Sequence, residues 1–241
     1  MKADGKKVAL FLAGLLLCVA GIVAVSGETV TWSIPSDSFR GGGEDLFSNQ
    51  TGVKLSLERK LATLEELDFQ FTEEERKAME EWPDAGYGDL LAMVGWGEFD
   101  NETWEWSPTS DQVYALDTEV FNIDRMYLDF FQGLLSISNG ELPITDIIQD
   151  DSQVEWEEGT GTFQITLNYN EKPYTFTAAA LHDWLDVGIL EQVNRMLEKE
   201  GVEKRFYAAW NDYQGITVFY RDKAWARRFE SATGCKLYTK F

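Results

Sequence analysis

Residues 162–179, TFQITLNYNEKPYTFTAA, decide the fold. Phe163, Ile165, Leu167 and Tyr169 alternate with polar residues, and Tyr174, Phe176 and Ala178 do the same beyond a turn at Asn170 to Pro173. Side chains of a strand point to opposite faces in turn, so this period of two predicts two strands, each with one buried face. A short turn between them makes the pair an antiparallel hairpin.

Toward the C-terminus the period changes. A helix is expected from about Asp183, its N-cap, to Lys199, burying Leu185, Ile189, Val193 and Met196 or Leu197, with Gly201 closing it. Strands follow at Arg205 to Trp210 and Ile216 to Arg221, with a turn at Asn211 to Gly215. Asp222 then caps a last helix with Trp225, Phe229 and Ala232 on one face, ended by Gly234, and Lys236 to Tyr238 offers an edge strand.

Toward the N-terminus, Ile144 to Trp156 reads as a bent strand. Before it, Asp124 is expected to cap a helix whose stripe is Tyr127, Phe130, Phe131, Leu134 and Leu135, stopping at Asn139-Gly140. Gln112 to Phe121 is rich in β-branched and aromatic residues and reads as a strand. Thr72 followed by Glu73, Glu74 and Glu75 starts a helix that stops before Pro83, while Leu90 to Val94, set among glycines, fits either type. The order β-α-β-β-β-α-β-β-α from Gln112 predicts an α+β domain over residues 54–241. Its antiparallel sheet is expected to carry helices packed mainly on one face.

Ahead of this domain, residues 8–25, VALFLAGLLLCVAGIVAV, carry no charge, and Lys2, Lys6 and Lys7 precede them. The run is long enough to cross a bilayer as a helix, and Ala24-Val25-Ser26 before Gly27 also suits signal cleavage. Residues 1–27 are therefore read as a membrane anchor or a cleaved signal peptide, and both put the lysines inside and the rest outside the cytoplasm. Cys18 does not fit a lipidation site well, because Leu17 rather than a small residue precedes it. Residues 28–53, with Gly41-Gly42-Gly43 at their middle, read as a flexible stalk. Cys235 is then the one exported cysteine, so the core and not a disulfide must hold the domain.

The net charge is −21 and is unevenly spread. Residues 61–194 hold 30 acids against 4 Lys or Arg, whereas residues 195–241 hold 10 Lys or Arg against 6 acids. Such charge argues against nucleic acid and anionic lipid surfaces and suits solubility or a cationic partner.

Candidate chemistry is sparse. Asp117 and Glu119 lie two apart in the expected strand and so share a face, the arrangement of a carboxylate pair in a glycosidase or of a polar strand face. His182 stands beside Asp183 at a helix start, but neighbours on a helix do not face each other and no nucleophile elbow is present. Gly159-Thr160-Gly161-Thr162 lacks the GK[ST] ending of a phosphate loop and reads as a turn. Asp146, Asp150, Asp151, Glu155, Glu157 and Glu158 form an acidic run of oxygen ligands that suits Ca²⁺, but it lacks the EF-hand spacing and glycine and reads as a solvated loop, so no metal site is assigned. Trp82, Trp96, Trp104, Trp106 and Trp156 lie in acidic, glycine-bearing segments, where a tryptophan packs internally or stacks on a sugar or cationic peptide. Trp104 and Trp106 share strand parity. Asn49-Gln50-Thr51 and Asn101-Glu102-Thr103 match the glycosylation pattern.

The expectation is an exported acidic domain that binds a protein, a cationic peptide or an envelope glycan and needs no cofactor. Its binding candidates are Trp104, Trp106, Trp156, Asp150, Asp151, Glu155, Glu157 and Glu158. The alternative is an envelope glycan hydrolase using Asp117 and Glu119, with His182 a weaker catalytic candidate.

Overall fold

The computed structural model describes residues 55–240, apart from 101, 104 and 211–213. The apolar N-terminal segment, the stalk, Cys18, Trp104 and both sequon asparagines lie outside the described residues. Among the described residues, no helix is long and apolar enough to cross a membrane.

The chain begins with helices that cap themselves. Ser56 accepts from the Arg59 amide to open α1 (Leu57–Glu66). Thr72 and Glu75 bond reciprocally to open α2 (Glu73–Glu80), as the sequence predicts. The glycine-flanked Leu90–Val94 run lies inside α3 (Tyr87–Gly95). Two short strands, β1 (Glu98–Phe99) and β2 (Trp106–Ser107), pair antiparallel, and β3 (Tyr114–Asp117) follows.

The expected order then runs through α4 (Met126–Ile137), β4 (Ile144–Glu155), β5 (Thr160–Tyr169), β6 (Lys172–Ala179), α5 (Ile189–Lys199), β7 (Arg205–Trp210), β8 (Gly215–Arg221) and α6 (Lys223–Thr233). Asn170 and Glu171, both at positive φ, make the two-residue turn of the β5–β6 hairpin, two residues tighter than the expected Asn170 to Pro173 turn. Pro173 pairs opposite Asn168 on an edge strand, where a missing N–H is tolerated.

The chain is α+β with antiparallel pairing, but the strands divide into separate sheets of order β3-β8-β7 and β4-β5-β6, besides the β1-β2 pair. Between the two larger sheets lies one core, made by Tyr127, Phe130 and Phe131 of α4, Ile189 and Val193 of α5, and the inner faces of both sheets. A second core covers the other face of β3-β8-β7, where Phe219 and Ala209 meet α1, α3 and α6. Strand β8 is the partition, buried from Gly215 to Tyr220, which explains why its sequence ITVFY is apolar or uncharged throughout. Helices thus cover both faces of this sheet, while β4-β5-β6 presents its second, polar face outward.

Four local expectations are corrected. Asp124 sits in a 3₁₀ turn (Ile123–Arg125), and α4 begins at Met126 without a side-chain cap. Asp183 is not a helix cap: Trp184 bridges Glu119, the Asp183 carbonyl accepts from Val120 N–H, and α5 starts only at Ile189. Ala232 is exposed, and Ala226 and Thr233 complete the buried stripe of α6 beside Trp225 and Phe229. Lys236 to Tyr238 forms a single bridge from Tyr238 to Ala208 instead of a strand. The Asp222 cap and the Gly234 stop stand as expected, with the Trp225 amide donating to Asp222 at 2.8 Å.

Candidate functional site

Beyond β3 the backbone is knotted to two distant segments by Thr118. Its N–H and hydroxyl both donate to the Gln214 carbonyl, at 3.1 and 2.6 Å, and its own carbonyl accepts from Leu185 N–H at 2.7 Å. One residue on, Glu119 bridges Trp184, and Val120 N–H donates to the Asp183 carbonyl at 2.8 Å. Leu181 also bridges Trp184, and Ala180 N–H donates to the Gly161 carbonyl at 3.0 Å. The β4–β5 turn is thereby tied to the same end of the molecule. His182 completes the tie: its φ is 56°, and its ring lies so close over Gly159 that a Cβ there would sit 2.1 Å from Nδ1. Glycine at 159 is needed for that approach and for its own φ of 61°.

Asp186 holds the far side of this loop. Its carboxylate accepts from Ala179 N–H at 2.8 Å and from Gly188 N–H at 2.9 Å, the anchoring role expected of Asp183. Asp186 N–H in turn donates to the Tyr127 hydroxyl at 3.3 Å, and burial holds that phenol above its ordinary range.

Asp117 and Glu119 do share a face. The Gln214 side-chain amide donates to Asp117 Oδ2 at 3.1 Å and to Glu119 Oε2 at 2.8 Å, so one donor holds both carboxylates. The other Asp117 oxygen accepts from Glu119 N–H at 2.9 Å. Glu119 is exposed and Asp117 half-buried. Shallow concavities lie elsewhere, one lined by Thr63, Leu67, Arg227 and Ala232 and one by Leu55, Leu57, Pro83 and Asp84. Neither includes Asp117, Glu119 or His182.

Large apolar side chains are exposed on the segments gathered here. Phe121 is 89 % exposed, and Leu181, Trp184 and Trp156 are 46, 38 and 46 % exposed. Burying a side chain such as Phe contributes about 1.5–3 kcal/mol, and Phe121 forgoes nearly all of it in the free domain. Such an accumulation on one set of joined loops marks an interaction surface more than scattered exposure does. Trp156 keeps one edge on Phe163, with ring centroids 5.9 Å apart, and leaves the rest open.

The other predicted residues divide. Trp106 is not a surface ligand: it is buried in the first core against Tyr114, with its indole N–H donating to the Trp96 carbonyl at 2.8 Å. Asp146 and Asp150 stand at the two irregularities of β4. Asp150 accepts from Ser152 N–H, and Asp146 from Asn168 and Thr145; these bonds lower both carboxyls below their ordinary range. Both residues therefore have a local backbone role. Asp151 is exposed on β4, and Glu155, Glu157 and Glu158 are exposed beside Trp156. Gly159 lies in the β4–β5 turn, but Thr160 to Thr162, expected to be part of a turn, already pair with β4 as the start of β5. Among the described residues, no three His, Cys, Asp or Glu side chains come together as a metal site.

Phe121, Leu181, Trp184 and Gln214 were not foreseen. Their types are ordinary core or turn residues in sequence; only their exposure and their meeting single them out. No protein-family model matches this chain, and neither a curated protein nor a solved structure matches it.

Proposed function

We propose that this chain is a binding protein acting outside the cytoplasm, tethered or secreted through residues 8–25, with a stalk at 28–53 and an α+β domain that engages a protein, peptide or glycan partner. The single observation that carries the reading is the gathering of exposed Phe121, Trp156, Leu181 and Trp184 on loops tied together by backbone hydrogen bonds. A preorganised apolar surface loses little freedom on binding, which is why rigid aromatic anchors dominate interfaces.

Photo-crosslinking in the cells that make the protein tests this. A crosslinker at position 121 is expected to yield adducts that one at position 74, on the exposed side of α2, does not. Equal yields, or none from 121, would sink the reading.

The second reading is glycan hydrolysis by Asp117 and Glu119, favoured by the one amide that holds both carboxylates. A glycosidase requires acid and base to flank a substrate-enclosing cleft. The exposed setting of Glu119 fits binding better. Release of reducing ends by the full chain, lost in both Asp117→Asn and Glu119→Gln, would reverse this preference.

A further inference from the structure

We infer that the occupant of the Phe121–Trp184 end is a cationic peptide segment with an apolar centre; this rests on the binding reading above and names its partner class. Two of the joined segments carry an acidic margin in sequence beside their exposed apolar side chains. Asp117 and Glu119, oriented by Gln214, lie next to Phe121 and Trp184. Glu155, Glu157 and Glu158 are exposed and flank Trp156 in sequence, just before Gly159, over which His182 rests. Among the described residues, no ion pair engages any of these five carboxylates. Exposed apolar side chains and carboxylates outside any ion pair thus occur together on these joined loops.

Charge selects among occupants. A second copy of this chain would bring two acidic margins together within a net charge of −21 per chain, which repels. A neutral glycan would use the rings but leave the carboxylates without a role. Lys or Arg flanking an apolar side chain uses both: the cation meets a carboxylate or the face of Trp184 or Trp156, and the apolar group covers Phe121 and Leu181. Such a partner associates rapidly at low salt and more slowly as salt screens the margins.

The test is fluorescence anisotropy with labelled peptides on the full chain. The probes are a basic–apolar–basic peptide, the same peptide with Glu replacing its basic residues, an oligolysine of equal charge and a neutral chito-oligosaccharide. The inference predicts binding of the first alone at low micromolar concentration, weakened roughly tenfold or more by raising salt from about 0.05 to 0.3 M. Phe121→Ser and Trp184→Ser are each expected to weaken it roughly tenfold, and the paired Asp117→Asn, Glu119→Gln change to steepen its loss with salt less than wild type. Circular dichroism of each variant confirms that it is folded. Equal binding of oligolysine, unaffected by Phe121→Ser, would overturn the inference in favour of bulk electrostatics. Binding of the oligosaccharide alone, abolished by Trp184→Ser, would overturn it while leaving the binding reading intact. Binding of no probe would overturn it as well.

Discussion

Two sets of aromatic side chains in this molecule have opposite fates. In the second core Phe69, Phe219, Trp225 and Phe229 are 2, 0, 3 and 1 % exposed and stack on one another, with Phe219 and Phe229 centroids 5.1 Å apart and Trp225 and Phe229 5.0 Å apart. The Trp225 indole even finds a partner, donating to the Leu67 carbonyl at 2.8 Å. At the other end Phe121 stands almost wholly in solvent, and Trp156 and Trp184 are partly exposed, on a frame of backbone hydrogen bonds. The first set joins elements far apart in sequence; the second is held by the fold but contributes little to it. Aromatic content therefore says nothing of function until its burial is known.

The largest contrast is expected from one substitution in each set. Phe219→Ala should lower unfolding free energy by about 3–5 kcal/mol in chemical denaturation, because it opens a cavity between β8 and α6. Phe121→Ser should change it by no more than about 0.5 kcal/mol while weakening peptide binding roughly tenfold. A comparable loss of stability at both positions would erase the distinction.

Two glycines sharpen it. A Cβ at Gly133 would lie 2.4 Å from the Tyr114 ring inside the first core, where nothing can yield without repacking. Gly133→Ala should cost about 1–3 kcal/mol by overpacking. Gly159→Ala meets the His182 ring, which is exposed and can swing away, so its cost should be nearer the ~1 kcal/mol of a residue strained at positive φ. Comparing the two melting temperatures checks the order; a costlier Gly159→Ala would show that the loop end is as tightly packed as the core.

Helix caps give a smaller effect. Asp222→Ala removes the acceptor of the Trp225 amide and should cost about 1 kcal/mol, whereas Asp183→Ala should cost less than about 0.5. Equal losses would restore Asp183 as a cap.

Smallest is a pH effect at Asp129. Burial raises its carboxyl above the ordinary value, and the Arg125 charge at 3.0 Å only partly offsets this. A carboxyl raised in the folded state binds more protons there than in the unfolded chain, so it favours folding below its unfolded pKa and loses that contribution as pH rises through its folded pKa. Asp129→Asn should therefore flatten the decline in stability across the upper carboxylate range, measured by denaturation at a series of pH values. A steeper decline would contradict the assigned direction.

How much of this was legible in the sequence differs between the two regions. Alternation in Phe163 to Ala178 and the helical stripe from Tyr127 gave the element order, because core-facing residues must recur with the geometry of their element. Helix α1 was not foreseen: half of its LERKLATLEE is charged, its apolar stripe is only Leu57, Leu61 and Leu64, and Lys60 is buried with its ammonium donating to the Ala85 carbonyl at 2.6 Å. The split into two sheets was hidden as well, since order along the chain does not say which strands pair. At the candidate site, Asp117 and Glu119 were put on one face by strand parity, but β3 stops at Asp117, and Gln214 is what holds both carboxylates. Gln214, 95 residues beyond Glu119, could not be connected to them by any local pattern. Asp183 and Asp186 are both plausible anchors in HDWLD, and only tertiary contacts show that Asp186 carries the bonds. Trp106 and Trp156 look alike in sequence, yet one is core and the other surface.

The most direct test is a hydrogen-exchange footprint of the full chain with and without a saturating basic–apolar–basic peptide. Added protection is expected in residues 117–121, 155–159 and 181–186 and none in α1, α2 or α6, whose aromatic neighbours are already buried. Protection confined to the helices of the second core, with the Phe121–Trp184 end unchanged, would contradict it.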